Sequence, residues 1–340
     1  MHKKNEENFK EKNKTQLVIK IVLGILISII LICAILIATG YITINKVANE
    51  FDTVILDENN LGVVPEEELQ HFEDYTEILN IALFGIDSTD ASSGRSDSII
   101  VATLDPIHNK LKLTSFMRDS YVNIADYGYD KLNHAYAYGG PSLAINTLNT
   151  NFGLNITDFV AVDFSSLPKI IDSFGGITID ITEDELNYIN SYINSINSVN
   201  GTNSPTIVSA GTQSLNGVQA LAYSRIRYTS GGDFERTHRQ RTVLTAIFNE
   251  ALNIAPAQYL SVISNLTEYI TTSLDTNAIL KLATKISTMG LNGISIEQKR
   301  FPLDDYCEGQ IIDDIYYLTF DASTTKMQVM NYIFNDKISQ

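Results

Sequence analysis

The chain has 340 residues, of which 44% are hydrophobic and none is tryptophan, enough for one large domain or two small ones. It has 24 basic and 40 acidic side chains, a formal net charge of −16. Residues 1–20 hold six lysines and three glutamates, so the other 18 basic and 37 acidic side chains give −19 for the remainder. That charge repels a phosphate backbone and argues against nucleic-acid binding by the main domain.

The first predicted element is a membrane anchor at residues 21–44, which are uncharged and mostly apolar. At about 1.5 Å per residue, a helix of this length crosses a hydrocarbon core of about 30 Å. A cleaved signal peptide is the alternative, but its apolar region should be only about 7–15 residues long and end in a small-x-small site. Lysines precede the span and acidic residues follow it. The charge pattern therefore predicts a cytoplasmic tail at residues 1–20 and an extracellular main domain.

Residues 45–76 are acidic with little periodicity and are predicted to be a stalk with one short helix, followed by a globular domain at 77–340. Apolar runs predict several strands, and Ser, Pro and Gly signals predict helices between the later ones. This alternation predicts a largely parallel or mixed sheet covered on both faces. The predicted strands are 78–87, 98–104, 110–116, 158–164 and 177–181, and the helices are 141–153 and 165–176.

The C-terminal half continues with helices and one strand. Residues 187–206 are rich in Asn and Ser and are predicted to be a helix that frays into an exposed loop. Apolar residues at helical spacing predict helices at 236–253 and 277–289, a strand at 294–301, and a final helix at 324–334.

Five of the eight arginines fall within residues 223–244 of this acidic chain. Arg225 and Arg227 are two apart, so in an extended segment they point the same way. Arg236 and Gln240 share a face near a predicted helix start, where free N–H groups favour anions. Guanidinium groups bind phosphate with two parallel N–H donors, so this region predicts a phosphate pocket around a Gly231-Gly232 turn. The other two arginines, Arg239 and Arg241, are predicted to lie on a solvated helix face and to pair with surface carboxylates.

Other charged residues collect where predicted strands begin or end, the usual place for ligands in such sheets. Asp87 follows the first strand, Arg95 and Asp97 precede the second, and Arg118 and Asp119 follow the third. Asp87 and Asp97 are candidate ligands for Mg²⁺, which phosphates and a few carboxylates hold together. A turn-forming or capping role remains the alternative for both. Farther along, Lys131 is a candidate phosphate contact, and His134 is expected to be a structural hydrogen-bonding residue rather than a base.

Several stretches, taken in order, resemble the successive motifs of the LytR-CpsA-Psr family. They are GID, GRSDSIIVATLDP, SFMRDSYVNIADYGYDKLNHAYAYGGP, FGGITIDI, LNGVQALAYSRIRY and GGDFERTHRQ. The resemblance covers about residues 80–244. It implies an α/β/α sandwich with a central mixed sheet, preceded by one N-terminal transmembrane helix.

The resemblance also implies an activity. The expected enzyme is a Mg²⁺-dependent phosphotransferase that acts on the outer face of the cell membrane. It would move a glycopolymer, such as teichoic acid or capsule, from undecaprenyl pyrophosphate to peptidoglycan, with the lipid tail in an apolar tunnel. Thr89 and Glu235 depart from residues common in the family. The implied roles are catalysis by Arg118, Asp97 and Arg227, metal binding by Asp87 and Asp97, and pyrophosphate binding by Arg95, Arg118, Lys131, Arg225, Arg227, Asp233, Arg236 and Gln240.

Three alternative functions stay open at this point. A transcriptional attenuator is disfavoured by the predicted anchor and the acidic domain. A sensor would bind polyprenyl pyrophosphate without transferring anything. A lipid pyrophosphatase would use water in place of a sugar hydroxyl. The sequence does not identify the glycopolymer, the acceptor specificity, the general base or the oligomeric state.

Overall fold

The computed structural model describes residues 51–87, 94–163, 165–229, 232–253, 265–289 and 294–337. These residues divide into two compact units, each described here by itself. The first unit, called the sheet unit, comprises residues 48–165, 267–278 and 298–340. The second, called the helical unit, takes its described residues from 166–266 and 279–297.

The strands and helices follow in chain order. The strands are β1 (Asp52–Thr53), β2 (Leu79–Ile86), β3 (Ser96–Asp105), β4 (Lys110–Phe116), β5 (Tyr121–Ile124), β6 (Gly128–Lys131), β7 (Asp158–Asp163), β8 (Ile177–Ile181), β9 (Gly211–Leu215), β10 (Thr271–Thr272), β11 (Ser295–Phe301), β12 (Cys307–Ile312) and β13 (Ile315–Phe320). The helices are α1 (Glu66–Leu69), α2 (His134–Phe152), α3 (Leu167–Ser173), α4 (Glu183–Asn200), α5 (Gly217–Arg225), α6 (Gly232–Asn253), α7 (Thr276–Met289) and α8 (Ala322–Asn335).

A seven-stranded mixed sheet organises the sheet unit, in the order β1-β10-β7-β2-β3-β4-β11. β2, β3 and β4 are antiparallel neighbours, whereas β7 runs parallel to β2 and β10 runs antiparallel to β7. β3 and β4 are buried along most of their length, as their apolar sequences require. The mixed α/β fold expected from the sequence is therefore confirmed.

Residues 52–77 pack into this unit, although the sequence suggested a stalk. β1 pairs with β10 at the sheet edge. Leu61, Val64 and Leu69 are buried in the hydrophobic core. Their burial stabilises the fold, because the transfer of apolar side chains out of water is favourable. The short helix expected in this stretch is α1.

Helices α2 and α8 pack together and bury apolar side chains in the same core. The sequence predicted a helix from residue 141, and the structure extends it back to His134 across a break at Gly139 and Gly140. Gly140 has φ 63° and ψ −157°, a conformation that almost only glycine adopts. The Gly-Gly-Pro run thus separates one helical turn, which carries Tyr138, from the long helix that follows.

Two hairpins outside the central sheet complete this unit. β5 pairs with β6, and β12 pairs with β13. The hairpins meet through a parallel bridge between Ser120 and Leu318. This contact brings the chain that follows β4 next to a hairpin almost 200 residues away.

The helical unit contains α3, α4, α5 and α6, together with the two-stranded antiparallel sheet of β8 and β9. β8 is a strand as predicted, but its partner is β9 rather than a strand of the central sheet. α4 begins with a capping box in which Thr182 and Glu185 satisfy each other's backbone N–H groups. Gly217 lets α5 approach α3 closely, since a Cβ there would lie 2.0 Å from the Pro168 carbonyl oxygen.

The predicted anchor at residues 21–44 lies outside the described residues. Within the residues that the structure describes, no helix has the length and apolarity needed to cross a bilayer. The anchor and the two-sided helical covering of the sheet therefore stay predictions.

Candidate functional site

Polar side chains gather at one edge of the central sheet, where β2 and β4 end and β3 begins. Asp87 follows β2, and its backbone N–H donates to the Arg95 carbonyl oxygen at 3.0 Å. Both residues are exposed. The antiparallel register, which pairs Ile86 with Ser96, places these two predicted site residues opposite each other.

Arg118 is held against two carboxylates at this edge. Its Nη1 donates to Asp97 Oδ1 at 2.8 Å, and its Nε lies 3.5 Å from Asp119 Oδ2. Lys131 Nζ then donates to the other oxygen of Asp119 at 2.7 Å. Asp97, Arg118, Asp119 and Lys131 therefore form one charged chain, which we call the edge cluster. The sequence predicted roles for Asp97, Arg118 and Lys131, and it placed Asp119 among the same charged residues without giving it a role.

The edge cluster is partly shielded from water, since its four side chains are only 13–18% exposed. Partial burial lowers the effective dielectric constant and strengthens each electrostatic contact. A guanidinium group has five N–H donors and an ammonium group has three, so both cations can bind an anion in addition to a carboxylate. This arrangement fits an ordered site for a multiply charged oxyanion such as a pyrophosphate.

Asp130 precedes Lys131 of the edge cluster in the chain, and its side chain contacts two tyrosines and a histidine. Its carboxylate accepts from Tyr138 Oη at 2.6 Å and from Tyr317 Oη at 3.4 Å, and it lies 2.8 Å from His134 Nδ1. The hydrogen bond to Asp130 raises the pKa of Tyr138 to about 12, so this phenol stays protonated at neutral pH. His134 has the hydrogen-bonding role expected from the sequence.

The arginines of the helical unit differ from the expected geometry. Arg225 is the last residue of α5, and Ile226 ends that helix, so Arg225 and Arg227 do not share one side of an extended segment. The correction has a local cause, because α5 starts with an Asn216 capping box and continues through apolar, buried residues to Arg225. Arg225 is half-buried and Arg227 is exposed.

Arg236 and Gln240 lie on α6 and are both buried, as their shared helical face suggests. Arg236 Nη2 lies 2.9 Å from Asp233 Oδ1, one turn earlier in the helix. Asp233 therefore holds the Arg236 guanidinium, which is the orienting role that the resemblance implied for it. Asp233 also belongs to the first turn of α6, where a carboxylate is favoured by the helix dipole.

Arg239 and Arg241 do not lie on a solvated face, because both are buried. The Arg239 guanidinium donates to three groups: Glu185 Oε1 at 2.7 Å, the Ile226 carbonyl oxygen at 3.2 Å and Thr229 Oγ1 at 2.6 Å. A buried charge needs such partners, and Glu185 supplies the opposite charge. Arg239 consequently fixes the 226–229 segment that carries Arg227. Burial and the nearby Glu185 carboxylate raise the pKa of Tyr223 above its usual value in the same region.

Asp87 and Asp97, the carboxylates proposed for Mg²⁺, lie at neighbouring strand ends and carry the oxygen atoms that a hard cation prefers. The Asp97 carboxylate is paired with Arg118, so Mg²⁺ binding stays a proposal. Asp163 is a third carboxylate at the same edge, because it pairs in register with Ile86. The sequence did not single out Asp163. Among the described residues, the compact group Asp105, His108 and Asp336 is not an alternative metal site, since Lys112 Nζ lies 2.6 Å from Asp105 and 3.3 Å from Asp336.

Sequence reasoning missed Asp130 and Asn133 as parts of the site. Asn133 Nδ2 donates to Asp97 Oδ1 at 3.4 Å. No local signal marks Asp130 or Asn133, because a hairpin brings them to the strand ends. Thr89, one of the two departures, lies outside the described residues, whereas Glu235 Oε2 lies 4.0 Å from Arg239 Nη2.

Known proteins resemble this chain over most of its length. A family model for the LytR_cpsA_psr family matches residues 39–333. The chain is 33% identical over 213 residues to TagU of Enterococcus faecalis, a polyisoprenyl-teichoic acid–peptidoglycan teichoic acid transferase. The aligned region covers 61% of this chain and 65% of that protein. It is 28% identical over 262 residues to the regulatory protein MsrR of Staphylococcus aureus, with 76% and 75% covered.

A solved structure is also similar. The chain resembles TagT, a LytR-CPS2A-psr family protein with bound octaprenyl pyrophosphate lipid, with a TM-score of 0.57 and 23% identity. The likeness covers 82% of this chain and 99% of that one. At this identity the likeness establishes a shared fold.

Proposed function

This chain belongs to the LytR-CpsA-Psr family, and on that basis we propose that it is a membrane-anchored phosphotransferase. It joins a glycopolymer carried on undecaprenyl pyrophosphate, such as teichoic acid or capsule, to peptidoglycan through a phosphodiester bond. The activity of the enterococcal relative TagU supports the reaction class. The lipid pyrophosphate bound to TagT supports the donor class.

The observation that carries the proposal is the edge cluster. Arg118 and Lys131 are two cations ordered by carboxylates at 2.7–2.8 Å, at the strand ends where ligands of such sheets bind. Phosphoryl transfer needs mainly positioning and charge stabilisation, both of which preorganised cations supply. Arg95 lies at the same edge and adds a third positive charge.

The proposed reaction is a displacement at the glycan-side phosphorus of the lipid pyrophosphate. A sugar hydroxyl oxygen of peptidoglycan attacks the glycan-side phosphorus, the bond from that phosphorus to the bridging oxygen breaks, and undecaprenyl phosphate leaves. Arg118 stabilises the charge that moves onto the phosphate oxygens. Asp97 orients Arg118, and either Asp97 or the exposed Asp87 accepts the hydroxyl proton. Mg²⁺, held by Asp87 and Asp97, would neutralise part of the diphosphate charge.

Four residues of the helical unit keep the pyrophosphate-binding role that the family resemblance implies. Arg225, Arg227, Arg236 and Gln240 remain proposed ligands of the lipid headgroup. Arg236 is oriented by Asp233, and the segment carrying Arg227 is fixed by Arg239. Preorganised donors lose less entropy on binding an anion than flexible ones do.

The test is a transfer assay on the full chain with a lipid-linked glycan, with and without peptidoglycan oligomers and Mg²⁺. We expect glycan-phosphate on the oligomer only when acceptor and Mg²⁺ are both present. Arg118→Ala and Arg227→Ala should each abolish transfer while the chain stays folded. Lys326→Ala, which removes a surface pair with Glu68, should transfer normally. Transfer by the Arg227→Ala protein at the normal rate would refute the assignment of that residue.

A second candidate function is regulatory, because MsrR is named a regulatory protein. Direct DNA binding is unfavourable for this chain, because its acidic surface would have to contact the DNA phosphates. A gel-shift experiment at physiological salt distinguishes this function, since we expect no shifted complex. Release of phosphorylated glycan without an acceptor would instead identify a lipid pyrophosphatase.

A further inference from the structure

Six tyrosines form an aromatic surface on the sheet unit, here called the tyrosine face. Four of them are strongly exposed: Tyr127 at 55%, Tyr129 at 63%, Tyr138 at 41% and Tyr316 at 47%. Tyr121 and Tyr317 pack beneath them. An exposed aromatic surface of this kind on a folded unit usually marks a binding site.

Five of the six rings of the tyrosine face are in ring contact with one another in two groups, and Tyr316 lies beside Lys131. Tyr121 lies 5.2 Å from Tyr129 and 4.8 Å from Tyr317, and Tyr127 stacks on Tyr138 at 4.5 Å between ring centroids. Asp130 connects both groups through Tyr138 and Tyr317. The surface is therefore ordered before any ligand arrives, which lowers the entropic cost of binding.

The tyrosine face is continuous with the edge cluster. Lys131 Nζ, which donates to Asp119, also lies 5.9 Å and 5.8 Å from the ring centroids of Tyr316 and Tyr317. The Leu318 N–H donates to the Asp119 carbonyl oxygen at 2.8 Å, which fixes the β12–β13 hairpin to the chain beside Arg118. A molecule on the tyrosine face would thus reach the proposed reaction centre.

The charges around the tyrosine face select among ligands. Segments 119–131 and 307–320 carry six carboxylates and one lysine; these are Asp119, Asp126, Asp130, Glu308, Asp313, Asp314 and Lys131. A negative surrounding repels polyphosphate chains and anionic lipid headgroups. An anionic ligand is therefore disfavoured at this surface, whereas an uncharged ligand is compatible with it.

We propose that the tyrosine face binds the uncharged sugar chain of the peptidoglycan acceptor and guides its hydroxyl toward the edge cluster. Apolar C–H faces of pyranose rings pack against tyrosine rings, while sugar hydroxyls bond to phenol and carboxylate oxygens. The exposed tyrosines present both an apolar ring and a polar tip. This inference rests on the proposed transferase function and identifies where its acceptor binds.

The first test measures binding of N-acetylglucosamine oligomers to the full chain in detergent. Intrinsic fluorescence reports on tyrosine because the chain has no tryptophan. Tyr129→Ala with Tyr316→Ala should weaken binding roughly tenfold, the scale expected for losing one or two aromatic contacts. Tyr306→Ala removes an exposed tyrosine outside the tyrosine face and should bind as the natural chain does. Unchanged affinity in the double variant, with normal thermal unfolding, would overturn the proposal.

The second test separates this inference from the proposed function. In the transfer assay the double variant should raise KM for the peptidoglycan oligomer and leave KM for the lipid-linked glycan unchanged. Absence of transfer by the natural chain, with tyrosine-dependent sugar binding intact, would refute the transferase function but support a sugar-binding face. Normal transfer with an unchanged acceptor KM in the double variant would refute the tyrosine face alone.

Two further probes test whether the tyrosine face binds a lipid or an anionic polymer instead of a sugar chain. Soluble short-chain phosphatidylglycerol and poly(glycerol phosphate) are titrated against the same variants. We expect neither probe to bind in a tyrosine-dependent way. If either one does so while the sugar oligomers do not, the face binds lipid or anionic polymer and the proposal fails.

Discussion

At the scale of single residues, Asp97 has two proposed roles that one comparison can separate. Asp97 and Asp119 both contact Arg118, at 2.8 Å and 3.5 Å, but only Asp97 is a proposed metal ligand. Asp97→Asn keeps the shape of the side chain and removes its charge. We expect it to raise the Mg²⁺ concentration needed for half-maximal transfer by about tenfold, as loss of a charged ligand weakens a hard cation.

Asp119→Asn is the matched control for that measurement. It removes a carboxylate from the same guanidinium, so it should lower transfer without changing the Mg²⁺ requirement. Equal Mg²⁺ requirements for the natural chain and the Asp97→Asn protein would assign Asp97 solely to positioning Arg118.

Arg239 illustrates a residue whose role is structural although its neighbours are proposed ligands of the headgroup. Its buried charge is compensated by Glu185, at 2.7 Å. Arg239→Met leaves the Glu185 carboxylate uncompensated, so we expect the free energy of unfolding to fall by about 3–5 kcal/mol. Urea unfolding followed by circular dichroism measures the loss.

The exposed Arg227 is the comparison for Arg239. Arg227→Ala should change the free energy of unfolding by less than about 0.5 kcal/mol, as exposed substitutions usually do. If Arg239→Met were equally mild, the buried ion pair would contribute little and the 226–229 segment would be held by other contacts.

The sequence could not distinguish these two arginines. Arg227 and Arg239 lie in the same basic stretch, and both were judged from spacing alone. The partner that buries Arg239 is 54 residues earlier in the chain, on α4. Helical spacing did place Arg236 and Gln240 together, because that relation depends only on local geometry.

At the scale of elements, helix α8 is anchored to the sheet by a buried lysine. Lys112 Nζ donates to the Tyr332 and Ile333 carbonyl oxygens, at 2.9 Å and 3.0 Å, near the helix C-terminus. Asp105 completes the site at 2.6 Å. Such a cation satisfies carbonyl groups that have no partner within the helix and is favoured by the helix dipole.

This contact predicts a dependence of stability on pH. Burial alone would raise the pKa of Asp105, but hydrogen bonds and charge from Lys112, with His108, hold that pKa below the ordinary 3.8. A carboxyl group with a lowered pKa stabilises the fold above its unfolded value and loses that contribution as pH falls. We therefore expect the free energy of unfolding to decrease below about pH 4. Urea unfolding across pH 2–6 tests this, and Asp105→Asn should reduce the acid-dependent loss.

The strands and helices with a clear apolar pattern were predicted correctly from the sequence. β2, β4, β7 and α8 were found within one or two residues, because their patterns are continuous. The two hairpins were not predicted. β5 and β6 have four residues each, and β6 (Gly128–Lys131) contains no apolar run. β12–β13 turns at Asp313 and Asp314, which adopt positive φ without a glycine signal.

At the scale of the whole molecule, the distribution of charge reconciles an acidic chain with the anionic substrate proposed for it. The net charge of −16 opposes phosphate binding at most of the surface. Five of its eight arginines occupy one short stretch, and Arg95 and Arg118 lie at the sheet edge. Local cations in partly buried positions outweigh a distant net charge, since screening weakens exposed charges beyond about 8 Å at physiological salt.

The predicted anchor decides where this charge distribution operates. Residues 21–44 are long enough to cross a bilayer, and the lysines before them favour a cytoplasmic N-terminus. We expect the full chain to remain in the membrane fraction after alkaline carbonate washing, whereas a chain beginning at residue 45 should be released. Protease added outside intact cells should digest the domain and spare a tag placed before residue 1. Recovery of the full chain in the carbonate wash would exclude a spanning anchor, and protection of the domain would reverse the orientation and separate it from its proposed acceptor.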